Sequence, residues 1–224
     1  MSLPRAPKAV VFDMDGLLID SESVYRDAMI AAAAEMGHEL PIPLFLQMVG
    51  HSWPQNIGLL HDHFGPDFNV QQFRTSARDR FHAAATAEMT LKLGVVELLD
   101  LLDEIGLPRA IATSSQRREV DSHLGGHGLL ERFHAVVAHG DYARGKPHPD
   151  PYLKAAEALG VDPRHCLALE DSHPGVRAAS AAGMMTIMVP DLLEPTAEMH
   201  ELCVRIARDL HEVHDLLRAG ASRL

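Results

Sequence analysis

The sequence predicts an α/β fold, a parallel sheet with helices on both faces, interrupted after its first strand by an all-helical insertion. Three observations carry this. Apolar, strand-like runs alternate with helix-period segments over most of the chain, the pattern of a parallel sheet covered on both sides. Glycines close several of the helical segments, as C-terminal stops do. Residues 18–91 break the alternation and offer helical patterns with no strands between them.

In order, strand-like runs lie at 8–12, 109–112, 135–138, 166–169, 185–189 and 203–207. Helical patterns occupy 95–105, 116–124, 149–159, 173–182 and 209–217, with Gly106, Gly160 and Gly183 as stops. Within the insertion, an alanine-rich helix at 23–36 ends at Gly37, and further helices are expected at 42–49, 55–63 and 70–89. Pro41, Pro43, Pro54 and Pro66 punctuate them, since proline interrupts a helix interior. Linkers near 17–21 and 90–94 then divide the chain into a core, 1–18 with 91–224, and a helical cap, 19–90.

The bulk numbers narrow the class. The 224 residues suffice for one large domain with an insertion, and 46% apolar content fills a substantial core. A formal charge of −11 argues against nucleic acid or anionic membrane as partner. Only Cys166 and Cys203 occur, both in apolar runs, which suits a reducing compartment. No stretch approaches the roughly 18 apolar residues of a membrane span, and the first residues lack a signal peptide's apolar centre. A cytoplasmic monomer or weak homodimer is expected.

The chemistry concentrates at strand ends. In Phe12-Asp13-Met14-Asp15-Gly16 an apolar run stops at two carboxylates, and side chains two apart on extended chain point the same way. Paired anions call for a hard divalent cation, a nucleophilic role, or both. Thr113-Ser114-Ser115, Lys146 and Glu170-Asp171 follow three other strands, and open parallel sheets bind ligands at the carboxyl ends of their strands. The parts suit phosphoryl transfer. The Thr113 hydroxyl and the Ser114 amide can donate to phosphate oxygens, Lys146 and a metal can compensate charge, and Asp13 and Asp171 can supply metal oxygens. Asp13 can attack phosphorus, and Asp15 can protonate the leaving oxygen and later activate water.

These residues carry a resemblance. The run 12–22, Ala112-Thr113-Ser114-Ser115, the run 145–151 beginning Gly145-Lys146-Pro147, and Leu169-Glu170-Asp171-Ser172 resemble, in order, the four signature motifs of the haloacid dehalogenase superfamily. The likeness is strongest to its phosphatase and β-phosphoglucomutase-like branch. It implies a Rossmann-like core with an inserted helical cap, Asp13 as the phosphoryl-accepting nucleophile and Asp15 as acid/base. It implies Mg²⁺ held by Asp13, the Asp15 backbone carbonyl and Asp171, with Glu170 direct or through water. Thr113, the Ser114 amide and Lys146 would hold phosphate. The dehalogenases lack an aspartate at the position of Asp15, which disfavours halide displacement.

The resemblance also bears on substrate. Tyr25, Trp53 and Gln116 stand where the β-phosphoglucomutases carry a histidine, an arginine and a lysine, which favours hydrolysis over mutase activity, although Arg117 and Arg118 offer substitute cations. The loop Gly50-His51-Ser52-Trp53 resembles the cap's substrate loop, so Gly50, His51 and Trp53 are expected over the leaving group. The expected substrate is a small phosphorylated metabolite of the sugar phosphate, phosphoglycolate or nucleoside monophosphate class. A catalytically idle phosphometabolite-binding protein is the competing class. Outside these motifs, His61 and His63 read as surface residues, Gly125-Gly126 as a break in the helix between His123 and His127, and Cys166, Met184, Met185 and Met188 as core.

Overall fold

The computed structural model describes residues 3–49, 53–85 and 89–221. In chain order its elements are β1 (Ala9–Phe12), α1 (Ser21–Glu35), α2 (Ile42–Met48), α3 (Trp53–Phe64), α4 (Val70–Ala85), α5 (Val95–Glu104), β2 (Arg109–Ala112), α6 (Arg117–Gly126), β3 (Ala135–Val137), α7 (Asp150–Leu159), β4 (Cys166–Glu170), α8 (His173–Ala181), β5 (Met185–Met188), α9 (Ala197–Leu202), β6 (Arg205–Ile206) and α10 (Leu210–Ala221). The chain divides into two compact units, 1–19 with 91–224 and 20–90. No helix among the described residues is long and apolar enough to cross a membrane.

The first unit is a Rossmann-like α/β layer. Its six strands run parallel in the order β3-β2-β1-β4-β5-β6. The chain leaves β1 toward β2 on one side and later returns to place β4 on the other. This is the reversal at which such sheets open a crevice beyond the strand ends. Phe12 pairs with Ile111 on one side and Leu169 on the other, so the residues just after the three strands stand within one residue of the same level.

The two sheet faces differ in size, because successive side chains alternate. Val10, Phe12, Ile111, Leu167, Leu169 and Ile187 face one way and pack with apolar residues of α5, α6 and α10. Each such side chain contributes about 1.5–3 kcal/mol when fully buried. Phe12 also meets Phe133 edge to face, ring centroids 5.7 Å apart. The other face presents Ala9, Val11, Ala110, Ala112 and Ala168 to Tyr152, Ala155 and Ala156 of α7 and Ala178 and Ala179 of α8. Alanine against alanine lets these helices approach the sheet closely. Cys166, Met184, Met185 and Met188 are buried in or beside the sheet.

The second unit is helical throughout its elements. Asp20 caps α1, its Oδ1 accepting from the Ser23 amide at 3.4 Å. Ala28, Met29, Ala32 and Ala33 form the buried stripe of α1, which packs on α4, where Phe73 and Ala77 are buried. Phe64 and Phe68 stack with centroids 4.6 Å apart, and Phe68 meets Phe73 at 5.6 Å.

Several expectations need correction. Helix α6 continues through Gly125 and Gly126, because buried Val120 and Leu124 hold it against the core. Helix α4 is described over Val70–Ala85; residues 86–88 of the expected helix lie outside the described residues, and Met89 is not helical. Strand β6 is only two residues long and half-buried, as an edge strand tends to be. Helix α9 is not among the expected elements; it starts where the Thr196 hydroxyl accepts from the Met199 amide at 3.4 Å.

Candidate active site

Asp13 and Asp15 emerge at the end of β1. The Asp13 amide donates to the Leu169 carbonyl of β4 at 3.0 Å, so the sheet ladder itself fixes where that residue sits. Gly16 follows with φ +78°, and a Cβ placed there would lie 2.2 Å from Asp171 Oδ2. Only glycine fits this turn without displacing a carboxylate.

The other motifs arrive by the same register. The Thr113 amide donates to the Val137 carbonyl at 3.0 Å, and Thr113 is fully buried. The Ser115 hydroxyl donates to Asp15 Oδ2 at 2.6 Å and the Thr113 hydroxyl to the same oxygen at 3.3 Å. Ser114 is exposed between them. Lys146 crosses from its loop and donates from Nζ to Asp13 Oδ1 and to Glu170 Oε1, each at 2.5 Å. Four segments far apart in sequence therefore meet at one sheet edge.

Glu170 is the most enclosed of the charged groups here, with no exposed surface. Its Oε1 also accepts from the Tyr152 hydroxyl at 2.7 Å. Its Oε2 accepts from the Asp171 and Ser172 amides, each at 3.1 Å, and from the Ser172 hydroxyl at 3.0 Å. A Cβ on Gly175 would fall 1.7 Å from Oε1. Both oxygens are thus already engaged, and a metal bonding directly to Glu170 has to displace a donor.

The residues present suit a hard divalent cation. Asp13, Glu170 and Asp171 are buried and offer oxygens within 4.8 Å of one another, the all-oxygen donor set that Mg²⁺ prefers. The electrostatics agree. Burial pushes the Asp13 carboxyl up to about 8; Lys146 opposes this, while Glu170 and Asp15 add to it. Burial alone would lower Lys146, yet Asp13 and Glu170 hold its ammonium well above its ordinary range. One lysine among four carboxylates leaves an excess of negative charge that a divalent ion relieves.

The structure thus brings together Asp13, Asp15, Thr113, Lys146, Glu170 and Asp171. Gly50 and His51 lie outside the described residues, and Trp53 belongs to the helical unit, on α3. Sequence reasoning assigned no role to Ser115, Tyr142 or Tyr152. Tyr142 donates to the Thr113 carbonyl at 3.2 Å. Tyr152, buried on the apolar face of α7, gave no sign of being more than core.

A family model described as haloacid dehalogenase-like hydrolase matches residues 7–183. The chain belongs to that family. This haloacid dehalogenase-like hydrolase is similar to hexitol phosphatase B of Escherichia coli (strain K12), 37% identical over 204 residues that cover 85% of this chain and 86% of that one. It is 32% identical over 196 residues to the bifunctional riboflavin kinase/FMN phosphatase of Arabidopsis thaliana, covering 87% of this chain and 52% of that one. The chain thus spans about half of that relative. The crystal structure of a HAD family hydrolase from Deinococcus radiodurans R1, with bound phosphate and sodium, superposes with a TM-score of 0.80 at 31% identity and covers 98% of this chain and 97% of that one. The protein is an enzyme of the phosphoric monoester hydrolase class, in the phosphatase and β-phosphoglucomutase-like branch of its family.

Proposed function

We propose that the protein hydrolyses a small phosphorylated metabolite through an aspartyl-phosphate on Asp13, with Mg²⁺ as cofactor. The single observation that carries this is the convergence of Lys146 Nζ on Asp13 Oδ1 and Glu170 Oε1 at 2.5 Å each, beside Asp15 held by two hydroxyls. In this reading Asp13 attacks phosphorus. Lys146 then turns from the carboxylates to the phosphoryl oxygens, assisted by Thr113 and the Ser114 amide. Asp15, oriented by Ser115 and Thr113, protonates the departing alkoxide and next takes a proton from the water that cleaves the acyl phosphate. Asp13 and Asp171 would hold Mg²⁺ with the Asp15 carbonyl, and Glu170 would act through water because its oxygens are engaged. When bound, the ion supplies the charge neutralisation that lets an anionic nucleophile approach an anionic ester.

The helical unit is assigned the choice of leaving group. Hydrolysis is favoured over mutase activity because Arg117, one of the substitute cations, donates to the Val136 carbonyl at 2.7 Å and to Asp141 at 3.2 Å. A cytoplasmic location fits the two free cysteines, and a monomer or weak homodimer remains part of the proposal.

The test is phosphate release from a panel of sugar phosphates, phosphoglycolate and nucleoside monophosphates. Turnover should require added Mg²⁺ and cease in EDTA. Asp13→Asn should lower kcat at least about 10³-fold while the circular dichroism spectrum is unchanged. Full activity in that variant would refute the nucleophile assignment.

A further inference from the structure

Strand β2 ends at Ala112, and the turn 113–115 that follows lies beyond its paired residues. Backbone groups in such a turn need partners from outside the strand pairing. Most of them have one. The Thr113 amide donates to the Val137 carbonyl at 3.0 Å, and the Ser115 amide to the Thr113 hydroxyl at 3.0 Å. The Ser115 carbonyl accepts from the His139 amide at 2.8 Å. The Thr113 carbonyl accepts from the Tyr142 hydroxyl at 3.2 Å. The Ser114 amide has no acceptor among the described residues, and Ser114 is exposed.

The Thr113 carbonyl and the Ser114 amide belong to one peptide unit. That unit is planar, and its C=O and N–H point in opposite directions. Whatever holds the carbonyl therefore aims the amide. Thr113 is fully buried, which leaves its carbonyl dependent on a protein donor, and the phenol is that donor. A hydrogen bond on the carbonyl also polarises the N–H at the other end of the unit.

Tyr142 is itself well anchored. Asp141 Oδ2 accepts from the Ala138 amide at 2.9 Å and from Arg117 at 3.2 Å, which ties down the loop after β3. The Tyr142 ring packs at the edge of the alanine-rich cluster that includes Ala112 and Val137. Its phenol feels the charges of the site. Burial raises it first, and the Ser114 side chain and Lys146 oppose this, while Asp13 adds to it. The group thus stays a protonated donor beside the residues expected to meet phosphate. A phenylalanine would fill the same space and supply no hydrogen bond.

We propose that Tyr142 is a positioning residue for phosphate: its hydroxyl holds the Thr113–Ser114 peptide so that the Ser114 N–H is directed at the phosphoryl oxygens. This rests on the hydrolase reading above and deepens it, by naming what keeps the phosphate-binding amide in place.

The test follows the amide itself. Isotope-labelled full-length protein in Mg²⁺ is titrated with inorganic phosphate and observed by amide NMR, and phosphate release from the ester panel is measured in parallel. The Ser114 amide proton is expected to move downfield as phosphate saturates, the signature of a bond to an anionic oxygen. Tyr142→Phe keeps the ring and loses the hydroxyl. It should raise the phosphate Kd about five- to tenfold, remove most of the Ser114 displacement at saturation, and leave Mg²⁺ affinity by calorimetry within about twofold. Its kcat/KM should fall about tenfold or more, less than the loss of a direct donor to the reacting group. Equal phosphate affinity with an equal Ser114 displacement in the variant would overturn the proposal. So would a parallel loss of Mg²⁺ affinity, which marks a general loosening of the loops and not a turned peptide. Ester hydrolysis that depends on Asp13, with Ser114 unmoved by phosphate, would sink this inference and spare the hydrolase reading. A Tyr142-dependent Ser114 displacement with no release from any ester would do the reverse.

Discussion

Gly16 and Gly175, each with a carboxylate oxygen where a Cβ would be, set the limits of the site more sharply than any of its charged groups. Gly16 holds φ +78°, and a methyl there would sit 2.2 Å from Asp171 Oδ2 and 3.3 Å from Asp191 Oδ2. Gly16→Ala is expected to cost about 1–3 kcal/mol of stability and to weaken Mg²⁺ binding about tenfold or more, because the Asp171 carboxylate has to move. Thermal unfolding and calorimetric Mg²⁺ titration check the two effects, and unchanged affinity would remove Asp171 from the metal set. At this scale the four motifs were legible in the chain, since each is a polar group breaking an apolar run. Ser115, Tyr142 and Tyr152 were not, because their roles come from where the sheet register and α7 deliver a hydroxyl. Nothing about their neighbours in sequence reveals that.

At the level of elements, strands were readable because parallel strands buried on both faces are continuous apolar runs. Arg109–Ala112 was expected to the residue, whereas β6 proved shorter than its apolar run. Helix ends were less legible. Gly125 and Gly126 looked like a stop, yet tertiary packing of Val120 and Leu124 outweighed roughly 1 kcal/mol of glycine penalty per residue. Where α10 begins, Glu212 accepts from Arg205 Nε at 2.8 Å and from the Arg208 amide at 3.2 Å. The Arg205 side chain first, then the Arg208 amide, holds this carboxyl down at about 2 against an ordinary 4.5. A depressed carboxyl stabilises the folded state above its unfolded value, and that stability is lost as pH falls from about 4.5 toward 2. Glu212→Gln should therefore lower stability on the order of 1 kcal/mol at pH 7, with the difference shrinking below pH 4.5. Urea unfolding across that range measures it, and a pH-independent difference would contradict the assignment.

Across the whole molecule, the alternation of strand and helix was enough to read the parallel sheet flanked by helices. Residues 50–52 of the expected substrate loop lie outside the described residues, and a cavity beside Trp53 is walled by residues of four helices, α1 to α4, which no local pattern announces. The net charge of −11 has its own consequence for an enzyme whose ester is anionic. Long-range repulsion slows encounter and is screened within about 8–10 Å at physiological salt. Raising ionic strength from about 10 to 150 mM is expected to increase kcat/KM about two- to threefold. A decrease would mean that the local positive charge at Lys146 dominates the approach of substrate.

The alanine face of the sheet governs more than packing. It seats α7 deep enough for the hydroxyl of Tyr152 to touch Glu170 at 2.7 Å, so the docking depth of one helix and the polarity of the pocket floor are a single variable. Larger residues at Ala110, Ala112 or Ala168 would lift that helix and uncouple the floor from its lysine. On the function proposed above, the floor of the site is therefore poor ground for innovation, and descendants of this chain that learn new esters should record their changes among residues 20–90.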